Sequence, residues 1–311
     1  MRFYSTKPGA DIQMVRIFIF LFLGTLGSAA WGENTINTHS YALGYGQSAE
    51  YRLELLNEIY HERMHHEIIK HVPMSSVKIF TIGCGSAHLE AKLNEIASNS
   101  NFYGVDISPE RISEANRRTA NINQTSNSFR FAVKDITKDD LGKDEFDIII
   151  SRFVLSHLPN PVEKLKKVLN NLSPGGTIIL EELVATDNDF LCRGKCEGYR
   201  MFSESVKVQR SAQGGDHLVA FDLMDYLQKN NFEIISTFMQ QPILRTSKSK
   251  SILRLGIEES GNLIINHFGK QEYERIKLLL RDFEDDPSSY ALYARSMGII
   301  ARKKSGVAEQ T

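Results

Sequence analysis

Between positions 48 and 71, apolar residues recur at helical spacing: Leu53, Leu56, Ile59 and Tyr60, then Met64, Ile68 and Ile69. Pro73 ends that run, and from Val77 the chain changes to short apolar blocks separated by helical stretches. Blocks at 77–82, 102–107, 129–136, 146–154, 177–183 and 232–239 read as strands. Those at 88–97, 161–172 and 216–229 read as helices, and Pro109 opens another, where its missing N–H costs nothing. The stretch Phe146-Asp147-Ile148-Ile149-Ile150 is apolar almost throughout, as a strand covered on both faces should be. Strands and helices alternating at this pace require crossover connections, so the pattern predicts an α/β fold with a mainly parallel sheet.

Two stretches interrupt the alternation. Residues 185–215 read as a long connection rich in Asp, Gly and Ser, and 248–284 as helical, within an insertion spanning 242–289. Residues 290–303 return to strand grammar and predict a closing strand. Insertions of this length in an α/β domain usually cover the ligand crevice.

The first 32 residues follow a different logic. Arg16 precedes an apolar run from Ile17 to Leu26, and Gly27-Ser28-Ala29-Ala30 follows it. A basic flank, about ten apolar residues and a small-residue ending match a secretory signal, and the run is short for a bilayer span. Export conflicts with any cofactor made in the cytosol, so the sequence leaves the compartment open. The expected organisation is 1–32 as signal or hydrophobic segment, 33–75 as lid helices, 76–304 as the ligand-binding domain and 305–311 as a tail.

Composition adds two constraints. With 41% hydrophobic residues the chain can fill a core, and a net charge of -1 gives no field that would draw it to nucleic acid. The one basic run, Arg245, Lys248, Lys250 and Arg254, reads as a solvated helix start rather than an RNA groove. Of three cysteines, Cys192 and Cys196 read as loop thiols, or as a disulfide if the chain is exported, with Cys84 left over.

Chemistry concentrates at the ends of the predicted strands. The first runs into Gly83-Cys84-Gly85-Ser86, where the absence of a Cβ lets a ligand approach the backbone. The second ends in Asp106-Ile107, about twenty residues on, placing an acid where it accepts from two ribose hydroxyls. The third ends in Asp135-Ile136, an acceptor for an exocyclic amine beside an apolar side chain for a ring face.

The segments VKIFTIGCGSAHLEAKL, FYGVDISPERISEANR, FAVKDI, FDIIISRFVLSHLPNPVEKL and LSPGGTIILEE together resemble the class I methyltransferases that use S-adenosylmethionine (SAM), in their small-molecule branch. The resemblance covers about residues 76–240 and the closing strand. It implies a Rossmann-like, doubly wound, seven-stranded sheet with helices on both faces. It also implies that Gly83, Cys84 and Gly85 line the methionine part of SAM, Asp106 and Ile107 the ribose, and Asp135 with Ile136 the adenine. Ser151 and Arg152 would edge the methyl-donor pocket. Tyr41 and Arg52 would belong to a lid, with the Arg reaching the SAM carboxylate. Two positions depart from the family pattern: Thr81 stands where an acid usually receives the SAM amino group, and Ala87 stands at a usual third glycine. Such departures fit weaker binding, or a catalytically silent binding protein.

Other readings fit less well. A dinucleotide fingerprint needs a third glycine where His88 stands, a bulky residue where helix and strand pack closely. His61-Glu62-Arg63-Met64-His65 is a literal H-E-x-x-H, two potential zinc ligands one turn apart with Glu62 as base. Ile68 replaces the glycine that would end that helix, so His71 runs on about 9 Å beyond His65 and off its face, and no metal site is expected. The D/N-P-P-Y of DNA amino-methyltransferases is replaced by Ser151-Arg152-Phe153, and Glu181-Glu182 follow the fifth strand rather than the loop of the protein-arginine enzymes. A small-molecule or lipid-like acceptor remains, with His157 as the candidate base.

Overall fold

The alternation predicted from sequence closes into one seven-stranded sheet. A computed structural model describes residues 47–122, 126–142, 145–184, 191–213 and 218–305. The segment 1–32 and Tyr41 lie outside the described residues. Helix α1 (Gln47–His71) leads into β1 (Lys78–Ile82), α2 (His88–Leu93), β2 (Asn101–Asp106), α3 (Pro109–Ala120), β3 (Ser128–Val133) and β4 (Phe146–Arg152). A 3-10 turn at Leu155–His157 precedes α4 (Pro161–Leu169) and β5 (Leu172–Leu183). Then come β6 (Cys192–Arg193), α5 (Glu197–Gln213), α6 (Val219–Lys229), β7 (Phe232–Gln240) and β8 (Ile243–Leu244). Three helices, α7 (Ser247–Glu259), α8 (Gly261–Phe268) and α9 (Lys270–Asp285), precede β9 (Tyr290–Leu292) and β10 (Ser296–Lys303).

Strand order is β3-β2-β1-β4-β5-β10-β7; β1 to β5 pair in parallel, and β10 runs antiparallel to both of its neighbours. After β1 the chain moves outward to β2 and β3, then returns to β4 on the other side of β1. That reversal opens a crevice at the carboxyl ends of β1 and β4, where open α/β sheets bind ligands.

Alternation along each strand sorts two cores. Phe80, Ile82, Ile149, Ile178 and Leu180 face α4 and α6, whose Leu165, Val168, Leu223 and Leu227 are buried against them. Ile79, Ile150, Ile179 and Ile300 point to the other face and meet Met64 and Ile68 of α1, Val72 just after it, and Leu89 and Leu93 of α2. A third cluster joins α5, α7, α8 and α9 through Tyr199, Phe202, Ile252, Leu255, Ile276, Leu280 and Phe283. The amino-terminal half of α1 contributes Leu55, Leu56 and Ile59 to it, so one helix packs on both the sheet and the helical cluster.

Several sequence expectations are corrected. Residues 185–215 hold α5, 17 residues long, whose Tyr199 and Phe202 are buried; its Gly and Ser content hid the helical period. Strand β5 starts at Leu172, so Ser173-Pro174-Gly175-Gly176 lies inside a strand rather than ending a helix. The run 290–303 splits in two, and β9 joins β6 and β8 in a small second sheet. Cys192 and Cys196 are disulfide-bonded, with Cα atoms 5.8 Å apart, rather than free thiols. Lys250 is not solvated: its Nζ is buried and donates to the carbonyls of Phe283, in the last turn of α9, and of Asp286 and Ser289 just beyond it. Arg254 pairs with Glu284 and Glu258, and Lys248 with Glu58, so this basic run is spent inside the fold.

Candidate functional site

The turn after β1 is built for close backbone approach. Gly83 and Gly85 have φ of 63° and 54°, and a Cβ on Gly83 would lie 2.3 Å from a Val154 methyl, so no other residue fits there. Asp106, buried at the end of β2, holds the turn from below. Its Oδ2 accepts the Gly85 amide at 3.0 Å and its Oδ1 the Ser108 amide at 2.9 Å, which fixes the carboxylate plane. Cys84 is buried, donates its amide to Val105 O at 3.0 Å, and burial pushes its thiol well above the usual range. Ile107 stays exposed beside Asp106.

Ala87, the position of the missing third glycine, sits at φ 59° at the mouth of α2. An L-residue there carries a left-handed strain of about 1–2 kcal/mol. Ala87→Gly is therefore expected to raise stability, by about 0.5–1 kcal/mol once the looser unfolded chain is counted. Urea unfolding with an unchanged m-value checks this; a loss of stability would refute it.

Helix α1 is clamped onto this turn by residues the sequence reading passed over. Glu50 accepts from Ser86 Oγ at 2.5 Å and Arg118 Nη2 at 2.6 Å, and lies 2.8 Å from His88 Nε2. Burial works against the Glu50 charge, but the bonds from His88, Ser86 and Arg118 outweigh it and hold its carboxyl down to about 2. His88, which weighed against a dinucleotide, thus ties α1 to the turn. Arg52, two residues further on, is buried with its Nε 2.8 Å from Glu259 Oε2 at the end of α7. The predicted lid arginine is joined in this structure to the helical cluster.

A polar row crosses the carboxyl edge of the sheet on the face that α1 covers. Thr81 of β1 and Arg152 of β4 lie in it, followed by Glu181 of β5, Ser296 of β10 and Gln240 of β7. Arg152 Nη2 donates to Asn57 Oδ1 at 2.5 Å, while its Nη1 is buried without a partner. Glu181 Oε1 accepts from Ser296 Oγ at 2.7 Å and Gln240 Nε2 at 2.6 Å. The hydroxyls of Thr81 and Ser151 are buried and unpartnered, as are both carboxyl oxygens of Glu90 in α2. Glu90 is fully buried, and burial lifts its carboxyl to about 7.

Not every expected residue joins this cluster. Asp135 Oδ1 accepts the Thr137 amide at 2.8 Å and its hydroxyl at 2.6 Å, and a second oxygen lies 3.3 Å from Lys138 Nζ, so much of its capacity caps its own turn. Ile136 is buried in the core among Leu141 and Leu165 rather than presented as a ring face, while Val133 is exposed. His157 stands exposed at the end of the 3-10 turn, outside the polar row. The rings of His61 and His65 lie 4.6 Å apart, His71 pairs with Glu67, and no group of three metal-ligating residues occurs among the described residues.

Residues 74–246 match the model of a family described as a methyltransferase domain. A demethylmenaquinone methyltransferase of Protochlamydia amoebophila is 23% identical over 134 residues, 42% of this chain and 55% of its own. A phosphoethanolamine N-methyltransferase of Arabidopsis thaliana is 22% identical over 204 residues, 64% of this chain and 37% of its own. The chain thus spans about half or less of these curated relatives. Among solved structures, a mycolic acid cyclopropane synthase complexed with SAH and CTAB superposes with a TM-score of 0.51 at 14% identity, covering 86% of this chain and 91% of that one. The YcgJ protein of Bacillus subtilis gives 0.51 at 15% identity, over 79% and 100%. A family match over more than half the sequence, on a seven-stranded sheet of the expected order, makes the chain a member of the methyltransferase-domain family, with the class I SAM-dependent fold.

Proposed function

We propose that the protein is a SAM-dependent methyltransferase acting on a small, lipid-like or quinone-like acceptor. The observation that carries the reading is the adjacent pair of buried polar side chains, Thr81 and Glu90, whose oxygens lack well-formed bonds beside the Gly83–Gly85 turn. Buried polar groups are normally paired, and a site left unpaired at the strand-order reversal is one that a polar ligand completes. Asp106 fits a ribose: both of its oxygens are oriented by amides, and each keeps a lone pair for a hydroxyl. Arg52 fits the cofactor carboxylate, an exchange in which that carboxylate replaces Glu259.

When bound, SAM supplies a methyl group on a sulfonium, already activated for transfer. What the chain contributes is position: holding an acceptor in line with that bond. His157 lies exposed, so the proposal gives it no proton to move. A quinone-like acceptor is supported by relatives named as demethylmenaquinone and ubiquinone-biosynthesis methyltransferases. The disulfide and the apolar residues near the start support an exported or membrane-tethered protein that meets SAM outside its place of synthesis.

Calorimetric titration of the full chain with SAM and S-adenosylhomocysteine tests the reading. Both should bind, and Asp106→Ala should weaken them by more than about 1 kcal/mol by stranding two ribose hydroxyls. Because the Gly85 and Ser108 amides lose their acceptor too, the comparison is made below the variant's melting transition. No heat with either ligand at millimolar concentration would refute the proposal in favour of a silent relative.

A further inference from the structure

Glu90 is the buried acid that the fold itself does not explain. It stands on the inward side of α2 between Leu89 and Leu93, where an apolar residue would pack without cost. Other buried carboxyls have company: Glu182 accepts backbone amides, Glu181 is held by Ser296 and Gln240, and Glu259 pairs with Arg52. Among the described residues Glu90 has no ion pair, and neither of its carboxyl oxygens reaches good hydrogen-bond geometry with the Thr81 hydroxyl or any other partner. The groups that act on it come from the strand ends beneath α2, while His61 and His65 of α1, packed on α2, face Lys92 and Glu95 at its far end. Thr81 of β1 presents its hydroxyl, close enough to help hold the charge but short of bonding geometry. Arg152 of β4 also favours the charge, though its Nη2 is committed to Asn57. Asp106 of β2 opposes it, and Glu90 in turn raises Cys84 in the turn. Burial dominates, leaving the carboxyl at about 7.

Such an acid, poised beneath a ligand-approachable turn with both oxygens available, is suited to one kind of partner: a compact cation with several donor hydrogens. We propose that Glu90 is the acceptor for the cofactor's amino group, taking from the helix side the place beside Thr81. The inference rests on the SAM reading above and sharpens it, since Thr81 then marks a displaced acid rather than a lost one. Glu181, on the far side of Arg152, offsets that guanidinium and leaves room for a second positive charge. Thr81→Asp reports on this placement. Alone, it places two carboxyls against one another and weakens binding; in a Glu90→Gln background it supplies the missing acceptor.

Two ligands sharing one nucleoside separate this role from a structural one. S-adenosylhomocysteine carries the amino group, and 5′-methylthioadenosine lacks the amino-acid part. By calorimetry on the full chain, Glu90→Gln should weaken S-adenosylhomocysteine at least about tenfold and 5′-methylthioadenosine by less than about twofold. Thr81→Asp added to Glu90→Gln should recover most of the loss. Wild-type affinity for S-adenosylhomocysteine should rise about tenfold from pH 6 to pH 8 as the acid ionises, and the slope should vanish in Glu90→Gln. The neutral isostere should melt no lower than wild type in the absence of ligand. Unchanged binding of S-adenosylhomocysteine in Glu90→Gln, or equal loss of both ligands, overturns the inference and leaves the cofactor reading standing. Failure of wild type to bind either ligand removes the cofactor reading and this inference with it.

Discussion

Glu182→Ala is expected to lower the unfolding free energy by about 3–5 kcal/mol, because it strands three amides at once. The side chain is buried under the loop that follows β4. Its Oε1 accepts the Leu155 amide at 2.9 Å and the Val154 amide at 3.2 Å, and its Oε2 the Ser156 amide at 3.2 Å. No neighbouring side chain can replace an acceptor that serves three consecutive donors, and Leu155 is fully buried. The loop matters to the ligand as well. Phe153 is held at φ 57°, and Val154 packs its methyls into the space where a Gly83 Cβ would stand. Slackening the loop shifts Val154 against the glycine turn, so affinity for S-adenosylhomocysteine should fall along with stability. Glu182→Gln keeps Oε1 for two amides and turns a donor toward the third, so it should cost clearly less. Urea unfolding of both variants decides the matter: a loss below about 1 kcal/mol in Glu182→Ala would mean that water satisfies the loop instead.

Glu182 also shows what a sequence can and cannot reveal. Glu181 and Glu182 were legible as an acidic pair after a strand, and their position excluded one enzyme class. Nothing local indicated that one carboxyl would cap a loop almost thirty residues upstream while the other joined a row with Gln240 and Ser296. The sheet was readable because burial on both faces writes itself into runs such as Phe146 to Ile150, and strand ends carry turn chemistry. Glycine and acid positions at 83, 85 and 106 followed from spacing within single crossover units. Helix α5 was missed because its buried positions, Tyr199 and Phe202, are diluted by serines that cost little in a helix supported by α7 and α9. Ala87 resisted for another reason: its left-handed backbone is set by the turn, and alanine itself gives no sign of it. Ile136 and His157 were assigned by position in a pattern, and position does not tell whether a side chain turns toward the crevice, the core or solvent. The polar row and Glu90 were out of reach, since they arise only when α1, α2 and five strands are brought together.

The same buried acids make stability depend on pH in an unusual direction. The protein without ligand should lose about 2–3 kcal/mol between pH 5.5 and pH 8. Glu90 and Glu182 are both lifted by burial from an ordinary 4.5 to about 7. A carboxyl whose folded value exceeds its unfolded one binds more protons in the native state. Its stabilisation is therefore full below the unfolded value and is lost as pH rises through 7. Burial moves Glu181 and Glu259 in the same direction. His61 opposes them: burial, then the neighbouring charges of His65 and Arg152, lower its imidazole to about 4, so its contribution is lost as pH falls below the unfolded 6.5. One such group offsets only part of two or more acids, and the net slope stays negative through neutrality. Glu50 and Asp286, both held down to about 2, affect only the range below the ordinary carboxylate values. Stability should therefore peak near pH 5, rather than on the neutral side. Glu90→Gln should remove about 2 kcal/mol, most of the net decline, since that side chain no longer carries a charge to bury. Urea unfolding at pH 5.5, 6.5, 7.5 and 8 measures the slope in both proteins. A profile that is flat or rises with pH would mean that Glu90 and Glu182 ionise in the folded protein as ordinary carboxylates, with water or a shifted Arg152 reaching them.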